Sequence, residues 1–343
     1  MTNCAIDIIA IGDAIVDVIA TCDDAFIAAH HLPKGGMQLL DIEAAERLYA
    51  AMGNARETSG GSAANSMAGI AAMGGRAAFI GQIADDQLGD IFRHDMTALG
   101  VRFDTPALPR PGALHGAGQG ASHGAGPPTG RCLILVTPDA QRTMNTSPGA
   151  SHLLRPEALD EQLIASAAIL YLEGYLFGPE LPRRAMMRAI DIAHGAGREI
   201  AFTLSESVCI AGRKEAFGEM IDRGGVDLLF ANEDEVLQLT GARLLGDALS
   251  ALADKVPTLV ITRGAAGALA IDGGEGVEVP AIQVPHIVDT TGAGDLFAAG
   301  FLVARARGHD LRHCLHTGSI AAAEIISHFG ARPEADLKTL VTL

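Results

Sequence analysis

Short apolar segments alternate with longer amphipathic or small-residue segments along most of the chain. Apolar runs of this length predict buried strands, and the segments between them predict helices. The predicted strands are Ile6–Ile11, Ile15–Ala20, Ala77–Ile83, Ala168–Leu172, Glu199–Leu204, Val226–Ala231, Leu259–Thr262 and Ala268–Ile271, and the predicted helices are Ala63–Met73, Gln87–Leu99 and Arg183–Ala193. This alternation indicates an α/β fold with a mostly parallel sheet covered by helices on both faces.

Two segments interrupt this alternation. Residues 17–41 have strand character around the turn Lys34-Gly35-Gly36, and Arg131–Val136 with Arg142–Thr146 predict a hairpin. Neither segment fits a strand–helix–strand unit, so we expect both in a small β appendage. Between them, residues 105–130 are rich in Gly, Ala, Pro and His and predict a surface insertion.

Composition limits the classes of partner. Acidic residues outnumber basic ones 41 to 25, which gives a net charge of −16, so nucleic acid and anionic membranes would be repelled. The five cysteines are scattered without a paired motif, which is typical of a reducing compartment. No early positive charge marks a signal peptide, and no apolar run approaches the ~18 residues of a membrane span. We therefore expect a cytoplasmic protein.

A glycine-rich turn is the strongest local signal for chemistry. The strand-like segment Val284–Val288 leads into residues 289–295, DTTGAGD, and then into an apolar helix predicted at Leu296–Ala306. The unpaired N–H groups at such a helix start form an anion site. A carboxylate at Asp295 would repel a bound phosphate, unless it accepts a proton from an alcohol that attacks the phosphorus. The alternative is an acidic residue that only stabilises the helix dipole.

Other phosphate-binding signatures are absent from the sequence. No lysine stands in a Walker A motif, the first strand is followed by the single Gly12 instead of GxGxxG, and the protein-kinase catalytic motif is missing. A dinucleotide-dependent oxidoreductase is therefore disfavoured.

The chain resembles the PfkB (ribokinase-like) family of small-molecule kinases over nearly its whole length, in its adenosine-kinase-like branch. Three motifs carry the resemblance: DTTGAGD, GGSAAN at residues 60–65 and NEDE at residues 232–235. The resemblance implies a three-layer α/β/α core, a small β-strand lid and phosphate transfer from ATP to an alcohol with Mg²⁺. It places one kinase domain over residues 1–343, with the core at 1–14, 44–100 and 149–343 and the lid at 15–43 and 101–148.

The resemblance also assigns roles in phosphate transfer. Asp295 would be the general base, the backbone at Gly292, Ala293 and Gly294 would hold the developing charge, and Arg142 would reach the phosphates. The residues expected near the nucleotide and its ions are Asn232 and Glu235 (Mg²⁺, bound through water by Glu235), Thr262, Arg263 and Gly264 (nucleotide), and Asp289 and Thr291 (a monovalent cation such as K⁺). Asn and Glu three residues apart also fit a helix N-cap with a first-turn acid.

The acceptor residues follow from the same resemblance. Asp17 matches an aspartate that binds two sugar hydroxyls, as the paired oxygens of a carboxylate can. Tyr175 matches an aromatic residue that stacks on a purine, although core packing is an equal alternative, and Val208 stands where adenosine kinases tend to have a second aromatic residue. The other residues expected at the acceptor are Asp13 (often asparagine in adenosine kinases), Met37, Gly61, Ser62 and Asn65, with Phe177 on the same apolar wall.

These observations predict an ATP-dependent kinase for a primary hydroxyl of a ribosyl compound, with the 5′-hydroxyl of adenosine as the leading acceptor. A sugar kinase of the same family and a non-catalytic nucleoside-binding protein are the alternatives. The expected partners are a small molecule and ATP, without nucleic acid or membrane, in a monomer or homodimer.

Overall fold

The computed structural model describes residues 4–109 and 126–343. Residues 110–125, most of the predicted insertion, lie outside the described residues. In chain order, the strands of the described part are β1 (Ile6–Ile11), β2 (Ile15–Thr21), β3 (Met37–Leu39), β4 (Arg56–Gly60), β5 (Ala77–Ile80), β6 (Gly130–Val136), β7 (Arg142–Ser147), β8 (Ala167–Glu173), β9 (Glu199–Thr203), β10 (Leu228–Asn232), β11 (Thr258–Thr262), β12 (Ala268–Asp272) and β13 (Glu275–Val279).

Helices cover both faces of the larger sheet. Within the same described residues, the α-helices are α1 (Asp24–Ala29), α2 (Ile42–Ala51), α3 (Ser62–Ala72), α4 (Gln87–Ala98), α5 (Glu161–Ser166), α6 (Glu180–Gly195), α7 (Ser207–Ala211), α8 (Lys214–Asp222), α9 (Glu233–Thr240), α10 (Leu245–Ala253), α11 (Ala293–Ala306), α12 (Leu311–Ile325) and α13 (Leu337–Leu340). Short 3₁₀ turns lie at Gly149–Leu153, Pro156–Ala158 and Gly264–Ala266.

In the part of the chain that the structure describes, the larger sheet has eight strands in the order β13-β12-β11-β10-β9-β8-β1-β5. The strands from β5 to β11 pair in parallel, and β12 and β13 complete the sheet in antiparallel pairing. Successive residues of a strand point to opposite faces, so Ile8 and Ala10 join one buried cluster with α3, α4, α11 and α12. Ile9 and Ile11 join the other, with α5, α6 and α8 to α10. The predicted three-layer α/β fold is confirmed.

The smaller sheet has the order β3-β7-β6-β2-β4 in the described residues. The predicted hairpin is present, since β6 and β7 pair in antiparallel fashion. β4 also belongs to this sheet, although our sequence boundaries placed residues 44–100 in the core. The segment 17–41 contains a helix, α1, that strand character alone did not predict; Asp23 caps it by accepting a hydrogen bond from the Phe26 N–H at 2.8 Å.

Three other predicted elements differ from the structure. Val284–Val288 is not a strand, because it has no sheet partner and runs as an irregular segment. The helix after the glycine turn starts at Ala293, which puts Asp295 inside its first turn. The strand predicted at Ala77–Ile83 ends at Ile80. Among the helices of the described residues, none combines the length and apolarity that a membrane crossing requires.

Candidate active site

The polar residues of the candidate site lie at the carboxyl ends of parallel strands. Asp13 follows β1, and Glu173, Asn232 and Thr262 are the last residues of β8, β10 and β11. Because parallel strands end at the same edge of a sheet, these residues are brought to one edge, where ligands bind in open α/β sheets.

Asp295 is held by two side chains from the other glycine-containing motif. Ser62 Oγ donates to Asp295 Oδ1 at 2.6 Å, and Asn65 Nδ2 donates to Asp295 Oδ2 at 2.9 Å. Both donors lie on the first turn of α3, more than 200 residues away in sequence. Burial raises the pKa of Asp295 above its ordinary value, although these hydrogen bonds and the charge of Arg332 act in the opposite direction. A buried carboxylate of raised pKa suits a proton acceptor.

The start of α11 has no side-chain cap. Gly292 adopts a left-handed conformation (φ 79°) and packs on Ala331, where a Cβ would lie 2.8 Å from that of Ala331. The Ala293 N–H already donates to the Thr290 carbonyl at 3.2 Å, so the N–H groups of Gly294 and Asp295 are the ones left for an anion. A Cβ on Gly294 would meet nothing within 4 Å, which leaves open space at this point.

A cavity of about 330 Å³ adjoins this helix start. Thr262 and Gly264, both expected near the nucleotide, line it together with Thr290, Ala293 and Gly294, and its other walls are largely apolar. Arg263 does not line it; its guanidinium lies 3.6 Å from Glu278. An apolar cavity that ends at uncapped N–H groups suits a ligand with a flat ring at one end and phosphate at the other.

Asp17 lies in β2 and faces the glycine turn of residues 60–61. A Cβ on Gly60 would lie 2.5 Å from the Asp17 carboxyl carbon, so only glycine fits there. Burial raises the pKa of Asp17 to about 6, against the effects of Arg332 and Arg142, and the charge of Asp295 adds to the rise.

Asp13 lies beside a glutamate that the sequence patterns did not single out. The Glu173 carboxylate accepts the backbone N–H groups of Asp13 at 2.6 Å and Ala63 at 2.7 Å, and thereby joins the two turns that were predicted to bind the acceptor. Glu173 is fully buried, and burial together with the charge of Asp13 raises its pKa. Asp13 Oδ1 is buried without a hydrogen-bond partner among the described residues, so it can accept from a ligand.

Arg142 forms an ion pair with Asp289 Oδ2. The same carboxylate accepts the Thr291 N–H and hydroxyl at 3.0 and 2.7 Å and the Gly330 N–H at 3.0 Å. Burial opposes ionisation, but these hydrogen bonds and the charge of Arg142 lower the pKa of Asp289 below its ordinary value. Both oxygens of this predicted cation ligand are therefore engaged by the protein itself.

Asn232 and Glu235 form a capping box at the start of α9. Asn232 Oδ1 accepts the Glu235 N–H at 2.8 Å, and the Glu235 carboxylate accepts the Asn232 N–H and Nδ2 at 3.0 and 2.7 Å. Asn232 thus precedes the helix instead of sharing a helical face with Glu235. Burial, opposed by the hydrogen bond from Asn232, raises the pKa of Glu235, with the charge of Glu206 adding to the rise. Glu206 Oε2 is buried without a partner among the described residues.

The two aromatic residues that were expected on one wall of the acceptor site, Tyr175 and Phe177, lie in different environments. Tyr175 is partly buried at the edge of the sheet, and burial raises the pKa of its phenol, with the charges of Glu206 and Cys209 adding to the rise. Phe177 does not line this site: it is fully buried and stacks on Phe217 at 5.2 Å between ring centres. Phe177 belongs to the buried cluster that also contains Phe202 and Phe217. Met37 is partly buried in β3, beside Met144.

Arg332 is the second residue that the sequence patterns missed. Its guanidinium donates to the Ala64 carbonyl at 2.9 Å and to Ser59 O and Oγ at 2.7 and 3.0 Å. Glu173 could have been noticed as a charge at the end of an apolar strand. Arg332 lies in an irregular segment after α12, where neither periodicity nor motif marks it.

The parallel sheet, the buried carboxylate and the uncapped helix start suit a phosphotransferase of the α/β class. A sequence model of the pfkB family of carbohydrate kinases matches residues 6–105 and 123–338, and the chain belongs to that family. It is therefore a sugar or nucleoside kinase that acts on an alcohol group; use of ATP follows from the family, in which Mg²⁺ is typical.

Known proteins of both acceptor types resemble the chain. The crystal structure of adenosine kinase from Sinorhizobium meliloti is 42% identical, with a TM-score of 0.86 and 98% of each chain covered. That of a probable sugar kinase protein from Rhizobium etli CFN 42 is 40% identical, with a TM-score of 0.87 and the same coverage. The 5-dehydro-2-deoxygluconokinase of Shouchella clausii is 28% identical over 274 residues, 78% of this chain and 80% of that protein.

Proposed function

We propose that this kinase transfers the γ-phosphate of ATP to the 5′-hydroxyl of a nucleoside, with adenosine as the preferred acceptor. The observation that carries the proposal is the position of Asp295, which is bonded to Ser62 and Asn65 beside the uncapped start of α11. The 42% identity to an adenosine kinase supports a nucleoside acceptor.

Each residue of the site has a defined task in this reaction. Asp295 takes the proton of the attacking hydroxyl, and the N–H groups of Gly294 and Asp295 stabilise the charge that develops on the transferred group. Asp17 accepts hydrogen bonds from two ribose hydroxyls. Gly61 and Asn65 hold the sugar from the other side, and the free oxygen of Asp13 accepts a further donor of the acceptor molecule.

The residues around Glu235 fit a hydrated metal ion. Mg²⁺ keeps several water ligands and takes few carboxylates, and the unpartnered oxygen of Glu206 near Glu235 offers an acceptor for such a water. When bound, Mg²⁺ would neutralise phosphate charge. Asp289 already has Arg142 as its counter-charge, so it does not need a K⁺ ion for charge balance.

The smaller sheet is proposed as the lid of the site. It carries Asp17 and Arg142, and a lid that excludes water would limit hydrolysis of ATP. The acidic composition and the scattered cysteines without a paired motif support a cytoplasmic enzyme without nucleic-acid partners. We propose that it acts as a monomer or homodimer.

A sugar acceptor is the second candidate. Val208, at the position where a second ring would complete a base-binding wall, is 70% exposed, and Tyr175 is left as the one predicted stacking residue. With one stacking residue instead of two, acceptor binding would depend mainly on contacts with a pair of hydroxyl groups. A free sugar also carries such a pair.

A substrate panel separates these candidates. The measurement is ATP consumption with Mg²⁺ and adenosine, guanosine, cytidine, ribose or fructose, with product identity established by mass spectrometry. We expect adenosine to give the highest kcat/KM; a free sugar that exceeds every nucleoside would refute the acceptor assignment. Asp295→Asn should lower kcat by about 10³-fold and keep acceptor binding. The matched control is Asp191→Asn, a change of the same chemistry at an exposed position of α6.

A further inference from the structure

Three consecutive residues after α12 contact three parts of the candidate site. The Gly330 N–H bonds Asp289, Ala331 packs on Gly292, and Arg332 bonds Ser59 and Ala64. The segment therefore joins the glycine turn before α11 to the turn before α3, which are far apart in sequence.

We propose that Arg332 is a positioning residue of this site, which fixes the turn at residues 59–64 and supplies a positive charge to Asp17 and Asp295. The proposal rests on the proposed function, in which Asp295 is the general base.

The first part follows from the hydrogen bonds of the guanidinium. Its acceptors, Ser59 and Ala64, flank the turn that carries Gly60, Gly61 and Ser62. Gly60 abuts Asp17 and Ser62 bonds Asp295, so a displacement of this turn would move both carboxylates' contacts at once. A planar group with donors on two sides suits this bridging of two carbonyls better than an ammonium group does.

The second part follows from charge. The three hydrogen bonds of Arg332 go to neutral oxygen atoms, so none of these bonds neutralises its positive charge. Asp17, Asp295 and Asp95 all lie close enough to stabilise that charge, although burial lowers the pKa of Arg332 to about 10. In return the guanidinium lowers the pKa of Asp17 and Asp295.

Without this charge, the pKa of Asp295 would rise further. The titratable groups that face Asp295 from the packed elements are Asp17 of β2, Tyr171 and Glu173 of β8, Tyr175 and Arg332. Arg332 is the one cation in this set, so its removal takes away the one charge that favours the ionised form of Asp295.

The test follows the Asp295 carboxyl group directly in the ligand-free protein. Aspartate carboxyl carbons are labelled with ¹³C and titrated by NMR, and the Asp295 signal is assigned by its loss in Asp295→Asn. In Arg332→Gln we expect the midpoint of Asp295 to rise by about one unit, with the acidic limb of kcat/KM moving in the same direction. Arg332→Lys keeps the charge and should leave the midpoint unchanged while lowering kcat/KM.

Arg93→Gln is the matched control. Arg93 also donates to two backbone carbonyls, those of Phe103 and Thr105 at 3.2 and 2.8 Å, so it loses the same kind of contact without facing Asp295. An unchanged midpoint in Arg332→Gln, or a midpoint in Arg332→Lys that rises as far as expected for loss of the charge, would overturn the inference. If Arg332→Gln does not fold, Arg332→Lys alone tests the inference. An unchanged midpoint of Asp295 with a lower kcat/KM then supports it, and a raised midpoint overturns it. Turnover retained by Asp295→Asn would instead refute the proposed base, whatever the titration shows.

Discussion

Arg142 of the smaller sheet forms an ion pair with Asp289, which lies at the start of the glycine turn before α11. The side chains are 12% and 6% exposed, so the pair is largely removed from water. Arg142 was predicted to reach the phosphates and Asp289 to hold a cation, and in the structure the two side chains neutralise each other.

We expect removal of either partner to destabilise the protein. Arg142→Met or Asp289→Asn leaves a buried charge uncompensated and should cost about 3 kcal/mol in the free energy of unfolding, measured by urea denaturation. The double variant should cost less than the sum of the two. An additive double variant would show that the pair does not interact.

The same pair predicts a pH dependence. The pKa of Asp289 is lowered from its ordinary value of 3.8, so its stabilising contribution is complete above that value and is lost as the pH falls through the lower folded-state pKa. The stability advantage of the wild type over Asp289→Asn should therefore be constant at neutral pH and shrink below about pH 4.

The pKa of Asp17 is shifted in the opposite direction from that of Asp289, which reverses the predicted pH dependence. Its pKa is raised from 3.8 to about 6, so its ionised form is disfavoured in the folded protein, and stability is lost as the pH rises through this range. Asp17→Asn should raise Tm at pH 7 by about 3 °C and weaken acceptor binding. The gain in Tm should disappear near pH 4. A variant with lower Tm and unchanged acceptor affinity would contradict both roles of Asp17.

The two glycines of the turn should respond differently to alanine. Gly292→Ala places a side chain in a left-handed conformation against Ala331 and should cost about 1–2 kcal/mol or more. Gly294→Ala meets no atom within 4 Å, so Tm should be kept, while the methyl group in the anion site should lower kcat by on the order of ten-fold or more. Thermal unfolding and steady-state kinetics of the two variants separate structure from function here. Equal losses of Tm would argue against an anion site at Gly294.

Substitutions in the capping box of α9 can separate the role of Asn232 as a helix cap from its predicted role at the Mg²⁺ ion. Asn232→Ala should cost about 1 kcal/mol, whereas Asn232→Ser keeps an N-cap acceptor and should leave Tm nearly unchanged. If Asn232 also orders the metal ion, the serine variant should need more Mg²⁺ for half-maximal rate. A normal Mg²⁺ dependence in Asn232→Ser would restrict Asn232 to the helix cap.

The sequence predicted most elements of the larger sheet because their apolar runs are long and regular. β1, β8 and β11 were placed to within about one residue. The segment before the glycine turn was mistaken for a strand, since Val284–Val288 is apolar but finds no partner strand. The helix α1 was missed because six residues with a single buried side chain, Ile27, leave too little periodicity to recognise.

Part of the candidate site could not be read from the sequence. Asp295, Ser62 and Asn65 stand in recognisable glycine-rich motifs, but the hydrogen bonds that join them depend on α3 and α11 packing side by side. The capping box of Asn232 and Glu235 was one of two readings that spacing allowed, and only the backbone conformation shows that it is formed.

By itself, the sequence determined the α/β class, the kinase family and the residue types at the glycine turn, because periodicity and motifs are local properties of a chain. The tertiary structure decided which groups meet: Arg142 with Asp289, Glu173 with the backbone of Asp13 and Ala63, and Arg332 with Ser59 and Ala64. Those contacts join residues far apart in the chain, and burial sets their pKa values. Neither distance nor burial is encoded by any short segment alone.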